Sequence, residues 1–243
     1  MEPLPPQEPK KGQIRAEPYN WPHDASFSLE TTALVIVDMQ RDFCSPGGYL
    51  DLRGIDISPV RELIPKLKRL LEAFRKTGFP VYHTREGHRP DLSTLSKREY
   101  FRSHNNISGT GIGSPGPLGR LLVRGEEGHD IVPELYPIEG EPVIDKPGRG
   151  AFAHTDFELL LRIKEIKNLV IVGCTTDVCV FSTMREANDR AFDCVLLQDG
   201  TAAADESLRA YTCESIKGEG GIFGATADLE DAIQFVENFR PGK

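Results

Sequence analysis

The sequence has little basic charge, no long apolar run and few cysteines. Its 29 lysine and arginine residues are outnumbered by 37 aspartate and glutamate residues, which leaves a formal net charge of −8. This balance disfavours nucleic acid or an anionic membrane as a partner, because both are bound by basic surfaces. No apolar run approaches the roughly 18 residues of a membrane span, and the polar, proline-rich N-terminus lacks the apolar core of a signal peptide. A cytoplasmic location is therefore expected.

The five cysteines are an odd number without a paired framework, so reduced thiols are expected. Two of them, Cys174 and Cys179, lie five residues apart in "VIVGCTTDVCVFSTMREANDR". A zinc clamp would need further ligands, and no second cysteine pair or histidine cluster has suitable spacing. A disulfide across this short turn is not expected in a reducing compartment. Cys174 precedes the turn and is predicted to pack in the core.

The chain of 243 residues is long enough for one large domain. Residues 1–30 lack periodicity and are rich in proline, so they are predicted to form an arm that is partly disordered or lies over a neighbouring subunit. Residues 31–243 form the predicted domain. Within it, segment 85–141 has little regular pattern, and loops of this length are usually functional or disordered.

Apolar runs typical of buried strands alternate with segments of helical spacing after residue 30. Helix 58–78 is predicted from its apolar spacing, with Ser58 as a cap and Gly78 as its end; helix 155–167 opens on a predicted capping box of Thr155 and Glu158. Such alternation indicates a doubly wound α/β fold, in which a mostly parallel sheet carries helices on both faces. The predicted strands are 33–39, 79–84, 142–146, 168–173 and 193–199, with a possible edge strand at 220–223; further helices are predicted at 176–190, 205–217 and 228–239.

Chemically active side chains follow three of these strands. Asp38 ends the first strand, Lys146 ends the short third strand, and Cys179 lies in the first turn of the helix after the fourth. Binding sites in open α/β sheets lie beyond the carboxyl ends of the strands. We therefore expect these three side chains to meet. Each has a structural alternative, namely a turn cap, a solvent-exposed amine and a small core residue.

A carboxylate, an amine and a thiol in one place suit acyl transfer from an amide. A helix N-terminus and an ammonium group both favour a thiolate at Cys179, which would be the nucleophile. Asp38 can take the thiol proton and later deliver it to a leaving amine. The turn "GCTTDVC" offers backbone N–H groups for an oxyanion hole. The predicted reaction proceeds through a thioester.

Three stretches, "ALVIVDMQRDFC", "VIDKPGRGAF" and "VGCTTDVCVFSTMREANDR", resemble the signature segments of the isochorismatase-like cysteine hydrolases. The resemblance runs from about residue 30 to the C-terminus. It implies a six-stranded parallel sheet, a catalytic triad of Asp38, Lys146 and Cys179, and a cis peptide before Thr175. It also implies that the N–H groups of Thr175 and Cys179 form the oxyanion hole. Segment 45–58 has no histidine of the kind that binds metal in the nicotinamidases, so neither a metal nor another cofactor is expected.

Within that family, "HTREGHRPDL" and "ELYPIEGE" are most similar to biuret hydrolase and its triuret-cleaving relatives. The resemblance implies release of ammonia from a small linear ureide. Ureidoacrylate or N-carbamoyl amide hydrolysis is an alternative, as is a non-catalytic family member. Phe43, Arg85, Glu86 and Arg149 are candidate substrate-binding residues. Glu219 is a further candidate substrate-binding residue; it replaces a glutamine of the biuret enzymes, which puts biuret in doubt and makes a longer ureide such as triuret credible. A homo-oligomer, specifically a tetramer, is expected.

Overall fold

The computed structural model describes residues 8–240. Six parallel strands form its main sheet in the order β5-β2-β1-β6-β7-β8. Helices cover both faces, so the predicted doubly wound α/β fold is confirmed. The strands of this sheet are β1 (Thr32–Val37), β2 (Val81–Glu86), β5 (Val143–Lys146), β6 (Asn168–Cys174), β7 (Asp193–Ala202) and β8 (Ala225–Ala227).

The helices fall into two layers. The layer on one face consists mainly of α3 (Ser58–Thr77) and α8 (Leu229–Asn238). The layer on the other face is built from α5 (Phe157–Ile163), α6 (Phe181–Asp189) and α7 (Glu206–Gly221). Successive residues of the central strands point alternately to the two layers. All residues of β1 and β6 are buried, which explains why these strands read as continuous apolar runs.

The connecting segments carry the remaining elements. Helices α1 and α2 follow β1, and α4 with the β3–β4 hairpin lies in segment 85–141. No helix within residues 8–240 has both the length and the apolarity that a membrane crossing requires. The bounds of these elements are α1 (Arg41–Cys44), α2 (Tyr49–Leu52), α4 (Lys97–His104), β3 (Pro115–Gly116) and β4 (Gly119–Arg120).

Some predicted local details are wrong. Ile57, not Ser58, precedes α3, and the Ser58 N–H donates to Asp56 Oδ1 at 2.9 Å. Gly78 ends that helix in the left-handed conformation as predicted, with φ of 90°. Helix α5 begins at Phe157 without a capping box, because Thr155 Oγ1 bonds the backbone of Ala151 and Glu158 pairs with Arg190.

The last strand lies further along the chain than predicted. Segment 220–223 includes Gly220 and Gly221 with φ of 82° and 100°, a conformation that ends α7 and belongs to no strand. The buried segment Ala225–Ala227 pairs with β7 instead. A pair of glycines favours a turn over a strand. The apolar residues Ile222 and Phe223 beside them led to the prediction of a strand.

The described part of the N-terminal arm packs on its own subunit. Ile14, Trp21 and Phe27 are buried, and the Trp21 and Phe27 rings meet edge to face. Glu17 forms an antiparallel bridge with Thr226, so the arm covers the outer edge of β8. Covering an edge strand removes a surface that would otherwise pair with other chains. The remainder of the predicted arm, residues 1–7, lies outside the described residues.

Candidate active site

The structure brings Asp38, Lys146 and Cys179 together at the carboxyl end of the sheet. Lys146 Nζ lies 2.7 Å from Asp38 Oδ2 and donates to the Gly148 carbonyl at 2.8 Å. One carboxylate oxygen of Asp38, one of Glu86 and the Cys179 Sγ all lie within 4.8 Å of one another. Asp38 and Lys146 are fully buried, and Cys179 is only 5% exposed.

Strand order explains this convergence. The four strands β5, β2, β1 and β6 are neighbours, so the residues at their carboxyl ends share one edge. Lys146 is paired in register with Glu86 of β2, and Asp38 follows β1 between β2 and β6. Cys179 comes from the turn after β6. Residues that are up to 141 positions apart in the sequence therefore form one cluster.

Glu86 is the fourth member of this cluster. The Cys179 thiol donates to Glu86 Oε2 at 3.4 Å, and Lys146 Nζ lies 3.7 Å from the same oxygen. The Gln40 side chain fixes the backbone there by accepting from the Glu86 N–H at 2.7 Å and donating to its carbonyl at 3.0 Å. Glu86 was predicted from the sequence to bind substrate, because it follows a strand. Its contact with the Cys179 thiol was not predicted.

The turn that carries Cys179 is not an ordinary helix start. The Cys174–Thr175 peptide is cis, as the family resemblance implies, and Thr176–Val180 forms one π-helical turn. The Thr175 carbonyl accepts from the N–H groups of Val178 and Val180, at 3.2 Å each. Among the described hydrogen bonds, the Cys179 N–H does not donate to that carbonyl.

Burial controls the protonation of the cluster. Burial raises the pKa of the Cys179 thiol well above its usual range, and the Lys146 ammonium only partly opposes this. Burial also raises the pKa of Asp38. At Lys146 burial favours the neutral amine, but the Asp38 carboxylate and the other acidic groups outweigh it and raise the pKa. Burial thus favours the protonated thiol at Cys179, whereas the helix start and the Lys146 ammonium group were expected to favour the thiolate.

A cavity of about 220 Å³ opens onto Cys179. Its wall combines apolar and aromatic side chains with three arginines. Two of these, Arg102 and Arg149, bind the same carboxylate, Glu99, with Arg102 Nε at 2.7 Å from Glu99 Oε1. The lining residues are Phe43, Tyr49, Leu50, Arg53, Ile55, Glu86, Arg102, Arg149, Thr175, Asp177, Val178, Cys179 and Ala204.

The cavity contains only some of the predicted substrate-binding residues. Phe43, Glu86 and Arg149 line it. Arg85 does not, because its guanidinium pairs with Asp130 at 3.0 Å and Asp145 at 2.8 Å on the neighbouring strand.

Glu219 is also outside the cavity. It is exposed, and its φ of 54° places it in the kink near the end of α7. Neither Arg85 nor Glu219 is therefore proposed to bind substrate in this cavity. Sequence analysis did not identify two arginines of the cavity wall, Arg53 and Arg102, because they belong to the connecting segments after β1 and β2.

The acidic cluster also bears on metal binding. Among residues 8–240, one group of potential ligands is close enough to hold a metal ion, namely Asp38, Glu86 and Cys179. Lys146 Nζ already provides a cation 2.7 and 3.7 Å from the two carboxylates. A divalent ion there would be repelled by the ammonium group.

Exhaustive treatment with EDTA is therefore expected to leave the hydrolase activity unchanged, as the absence of histidine from segment 45–58 also predicts. Ammonia release is measured before and after dialysis against the chelator, with a zinc-dependent amidase as the positive control. Loss of activity that added zinc or iron restores would contradict this prediction.

Comparison with known proteins shows the family to which the chain belongs. The family model described as Isochorismatase domain matches residues 32–230. Curated relatives include the ureidoacrylate amidohydrolases RutB of Yersinia enterocolitica, 34% identical over 86% of this chain and 90% of the relative, and of Caulobacter segnis, 32% identical over 94% and 95%.

Solved structures share the fold. A cysteine hydrolase from Pseudomonas syringae aligns with a TM-score of 0.74 and 22% identity over 93% of this chain and 97% of that one. An isochorismatase-like hydrolase from Alkaliphilus metalliredigens aligns with a TM-score of 0.64 and 27% identity over 84% and 98%.

The parallel sheet with a buried thiol, amine and carboxylate at its carboxyl edge defines the class of α/β cysteine hydrolases. Within that class, the chain belongs to the isochorismatase family and is an amidohydrolase acting on C–N amide bonds. The relatives above are ureidoacrylate amidohydrolases, so the comparison supports that alternative better than the expected resemblance to biuret and triuret hydrolases.

Proposed function

We propose that this amidohydrolase cleaves the terminal carbamoyl amide of a small ureide that carries a carboxylate, the class to which ureidoacrylate belongs. One observation carries the choice: Arg53, Arg102 and Arg149 line the cavity that contains the thiol. Arginine is the side chain best suited to bind a carboxylate through two hydrogen bonds. The names of the curated relatives support the same substrate class.

The arginines of the cavity wall support an anionic ligand. Burial disfavours the ionised form of Glu99, but hydrogen bonds from Arg149 and Arg102 outweigh it and lower the pKa of that carboxyl to about 2. Glu99 is therefore ionised, and its single negative charge neutralises only one of the two cavity arginines that it binds. Arg53 pairs with no carboxylate among the described contacts, and donates instead to Tyr49 Oη at 3.2 Å and the Ser103 carbonyl. The guanidinium groups of Arg53, Arg102 and Arg149 can donate hydrogen bonds to a ligand carboxylate.

The proposed reaction has two halves. The Cys179 sulfur adds to the terminal carbonyl carbon while a neighbouring carboxylate accepts the thiol proton, and the N–H groups of Thr175 and Cys179 bind the developing oxyanion. As this intermediate collapses, the carboxylate gives that proton to the nitrogen, the C–N bond breaks, and ammonia leaves, so that a carbamoyl thioester remains. Water then attacks that carbon, breaks the C–S bond and releases an N-carboxylated amine. The ammonium group of Lys146 stays paired with Asp38 and balances the negative charge of the cluster during both halves of the reaction.

Neutral linear ureides such as biuret and triuret are the second candidate. The stretches "HTREGHRPDL" and "ELYPIEGE" support them, and the first includes Glu86 at the thiol. The carbonyl groups of these ureides would accept hydrogen bonds from the same arginines. Their terminal carbamoyl amide would undergo the same chemistry at Cys179.

Ammonia release from ureidoacrylate, biuret, triuret and an N-carbamoyl amino acid distinguishes the candidates. We expect kcat/KM to be highest for the carboxylate-bearing compounds. A kcat/KM at least tenfold higher for triuret or biuret would replace the first proposal with the second. No release from any of the four would support the non-catalytic alternative.

Arg149→Gln is expected to lower kcat/KM for ureidoacrylate about 10- to 100-fold and to change kcat/KM for biuret much less. A hydrogen bond to a charged group contributes about 1.5–3 kcal/mol, and only the first substrate has a carboxylate to lose it. Both constants are measured by ammonia release.

Glu219→Gln is the matched control, since this exposed carboxylate lies outside the cavity and should leave both constants unchanged. Equal losses for both substrates in Arg149→Gln would show that Arg149 does not recognise the carboxylate. A change of substrate preference in Glu219→Gln would return Glu219 to the binding site.

The expected homo-tetramer is a further proposal. Large apolar side chains on α4 and α7 support it, since Phe101 is 67% and Tyr211 is 72% exposed. Light scattering of the purified protein gives the mass in solution, and a monomer would contradict the proposal.

A further inference from the structure

The buried residues of helix α4 are both polar. They are Glu99 and Ser103, whereas Tyr100 and Phe101 of the same helix are 51% and 67% exposed. The Ser96 side chain accepts from the Glu99 N–H at 3.1 Å and caps the helix. Polar contacts of Glu99 and Ser103 therefore hold this short helix against the wall of the cavity.

Glu99 joins two arginines that come from different parts of the chain. Its Oε1 accepts from Arg102 Nε at 2.7 Å and Arg102 Nη2 at 2.5 Å within α4, and also from Arg149 Nη2 in the segment after β5. Both arginines line the cavity that contains Cys179, whereas Glu99 does not. The carboxylate is only 8% exposed and thus binds both guanidinium groups from outside the cavity.

This arrangement keeps two like charges close together. Two guanidinium groups that share one oxygen atom repel each other, and partial burial of both side chains weakens the solvent screening of that repulsion. The ionised Glu99 carboxylate offsets the repulsion, and its hydrogen bonds fix the direction of each guanidinium group. A guanidinium group has more N–H donors than these contacts use, so both arginines keep donors for a ligand.

We propose that Glu99 is a positioning residue for substrate recognition, which holds Arg102 and Arg149 together on the cavity wall as one binding site for the substrate carboxylate. The inference rests on the proposed function, since it requires a ureide that carries a carboxylate. Such a ligand gains two charged hydrogen-bond donors whose positions are set before it binds, and this lowers the entropy that binding costs.

Helix α4 also supports the third arginine of the cavity. The Ser103 carbonyl accepts from Arg53 Nη1, and Asn106 Nδ2 donates to the same carbonyl at 2.9 Å. Ser103 Oγ accepts from the Ile112 N–H at 3.2 Å, which ties the helix to the chain that follows it. Segment 85–141 thus contributes substrate recognition through α4, while the ends of the strands contribute the reacting groups.

Binding to Cys179→Ala tests this role apart from catalysis, because a protein without the nucleophile binds a substrate but does not cleave it. Titration calorimetry gives the Kd of ureidoacrylate and of biuret for Cys179→Ala and for Cys179→Ala/Glu99→Ala. We expect the second substitution to raise the Kd of ureidoacrylate about tenfold or more, equivalent to about 1.4 kcal/mol, and the Kd of biuret less than about threefold.

Steady-state kinetics with the Cys179 thiol present gives a second measurement. Glu99→Ala should raise KM for ureidoacrylate and change kcat much less, because none of the described contacts joins Glu99 to Asp38, Lys146 or Cys179. Glu99→Gln has nearly the same size and replaces Glu99→Ala if thermal unfolding shows that the latter does not fold. Its neutral oxygen accepts weaker hydrogen bonds, so the Kd of ureidoacrylate should rise in this variant as well.

Arg98→Gln is the matched control. Arg98 Nη1 lies 3.6 Å from Glu99 Oε2, but its side chain is 80% exposed and does not line the cavity, so both Kd values should stay unchanged. An equal rise of both Kd values in the Glu99 variants would show a general structural role and overturn the proposal. An unchanged or lower Kd of ureidoacrylate, or no binding of ureidoacrylate to Cys179→Ala, would overturn it too.

Failure of the proposed function gives a different result. Wild type would then release no ammonia from ureidoacrylate, although the compound binds to Cys179→Ala. The difference in Kd between Cys179→Ala and Cys179→Ala/Glu99→Ala would still decide whether Glu99 positions the two arginines.

Discussion

Cys179→Ala is expected to lose ureide hydrolysis by about 10⁴-fold or more while keeping its fold, because no other cysteine lines the described cavity. The thiol is 5% exposed, lines the cavity and donates to Glu86. Replacing it removes a small side chain whose neighbours stay fixed by the sheet. Steady-state ammonia release and thermal unfolding measure the two effects on the same sample.

Cys174→Ala is the matched control for this result. Cys174 is also buried, but its thiol donates to the Asp38 carbonyl at 3.2 Å and does not line the cavity. Most of the activity should therefore remain. A folded Cys179→Ala protein with a tenth of the wild-type kcat would exclude the covalent mechanism, and an inactive Cys174→Ala protein would show that the wrong thiol was chosen.

The architecture was predictable because each buried strand carries its own signal. The run "ALVIV" is apolar throughout since both faces of β1 are covered, and a parallel sheet then puts Asp38, Lys146 and Cys179 at one edge. The edge strand was misplaced because β8 is only three residues long and follows a glycine-rich turn. Short elements of this kind leave little periodicity to detect.

The chemistry of the site was predictable only in part. The sequence indicated which groups would meet, but the pKa of Cys179 depends on its burial beside two carboxylates, Asp38 and Glu86. Glu86 and Asp38 carry the same functional group, and only the structure shows that Glu86 lines the cavity while Asp38 does not. Arg53 lies between α2 and α3, and Arg102 lies in α4. Neither residue follows a strand of the main sheet, so its position in the sequence did not indicate that it lines the cavity.

Lys146→Met is expected to destabilise the protein by about 3–5 kcal/mol at pH 8 and to lower kcat at least about 100-fold. Removing one partner of a buried ion pair leaves the other charge uncompensated. Lys146 is fully buried and serves both Asp38 at 2.7 Å and Glu86 at 3.7 Å. Methionine has a similar length, so the loss of packing is small compared with the loss of the ammonium group.

The destabilisation should depend on pH in a definite direction. Burial already raises the pKa of Asp38, and Lys146 opposes that rise, so its removal raises the pKa further. A carboxyl whose pKa is higher in the folded than in the unfolded protein binds more protons when folded. Stability then falls as pH rises above about 4, the unfolded pKa of aspartate. Urea unfolding should thus show a smaller difference from wild type at pH 5 than at pH 8.

The double variant Lys146→Met/Asp38→Asn separates stability from catalysis. Neutralising the carboxylate removes the uncompensated charge at Asp38, so the double variant should be more stable than Lys146→Met at pH 8. Activity should stay as low as in the single variant, because Glu86 and Cys179 still lack the ammonium group beside them. A Lys146→Met protein as stable as wild type at pH 8 would mean that the buried carboxylates are neutral even with Lys146 present. Lys146 would then not be needed to compensate a negative charge at Asp38.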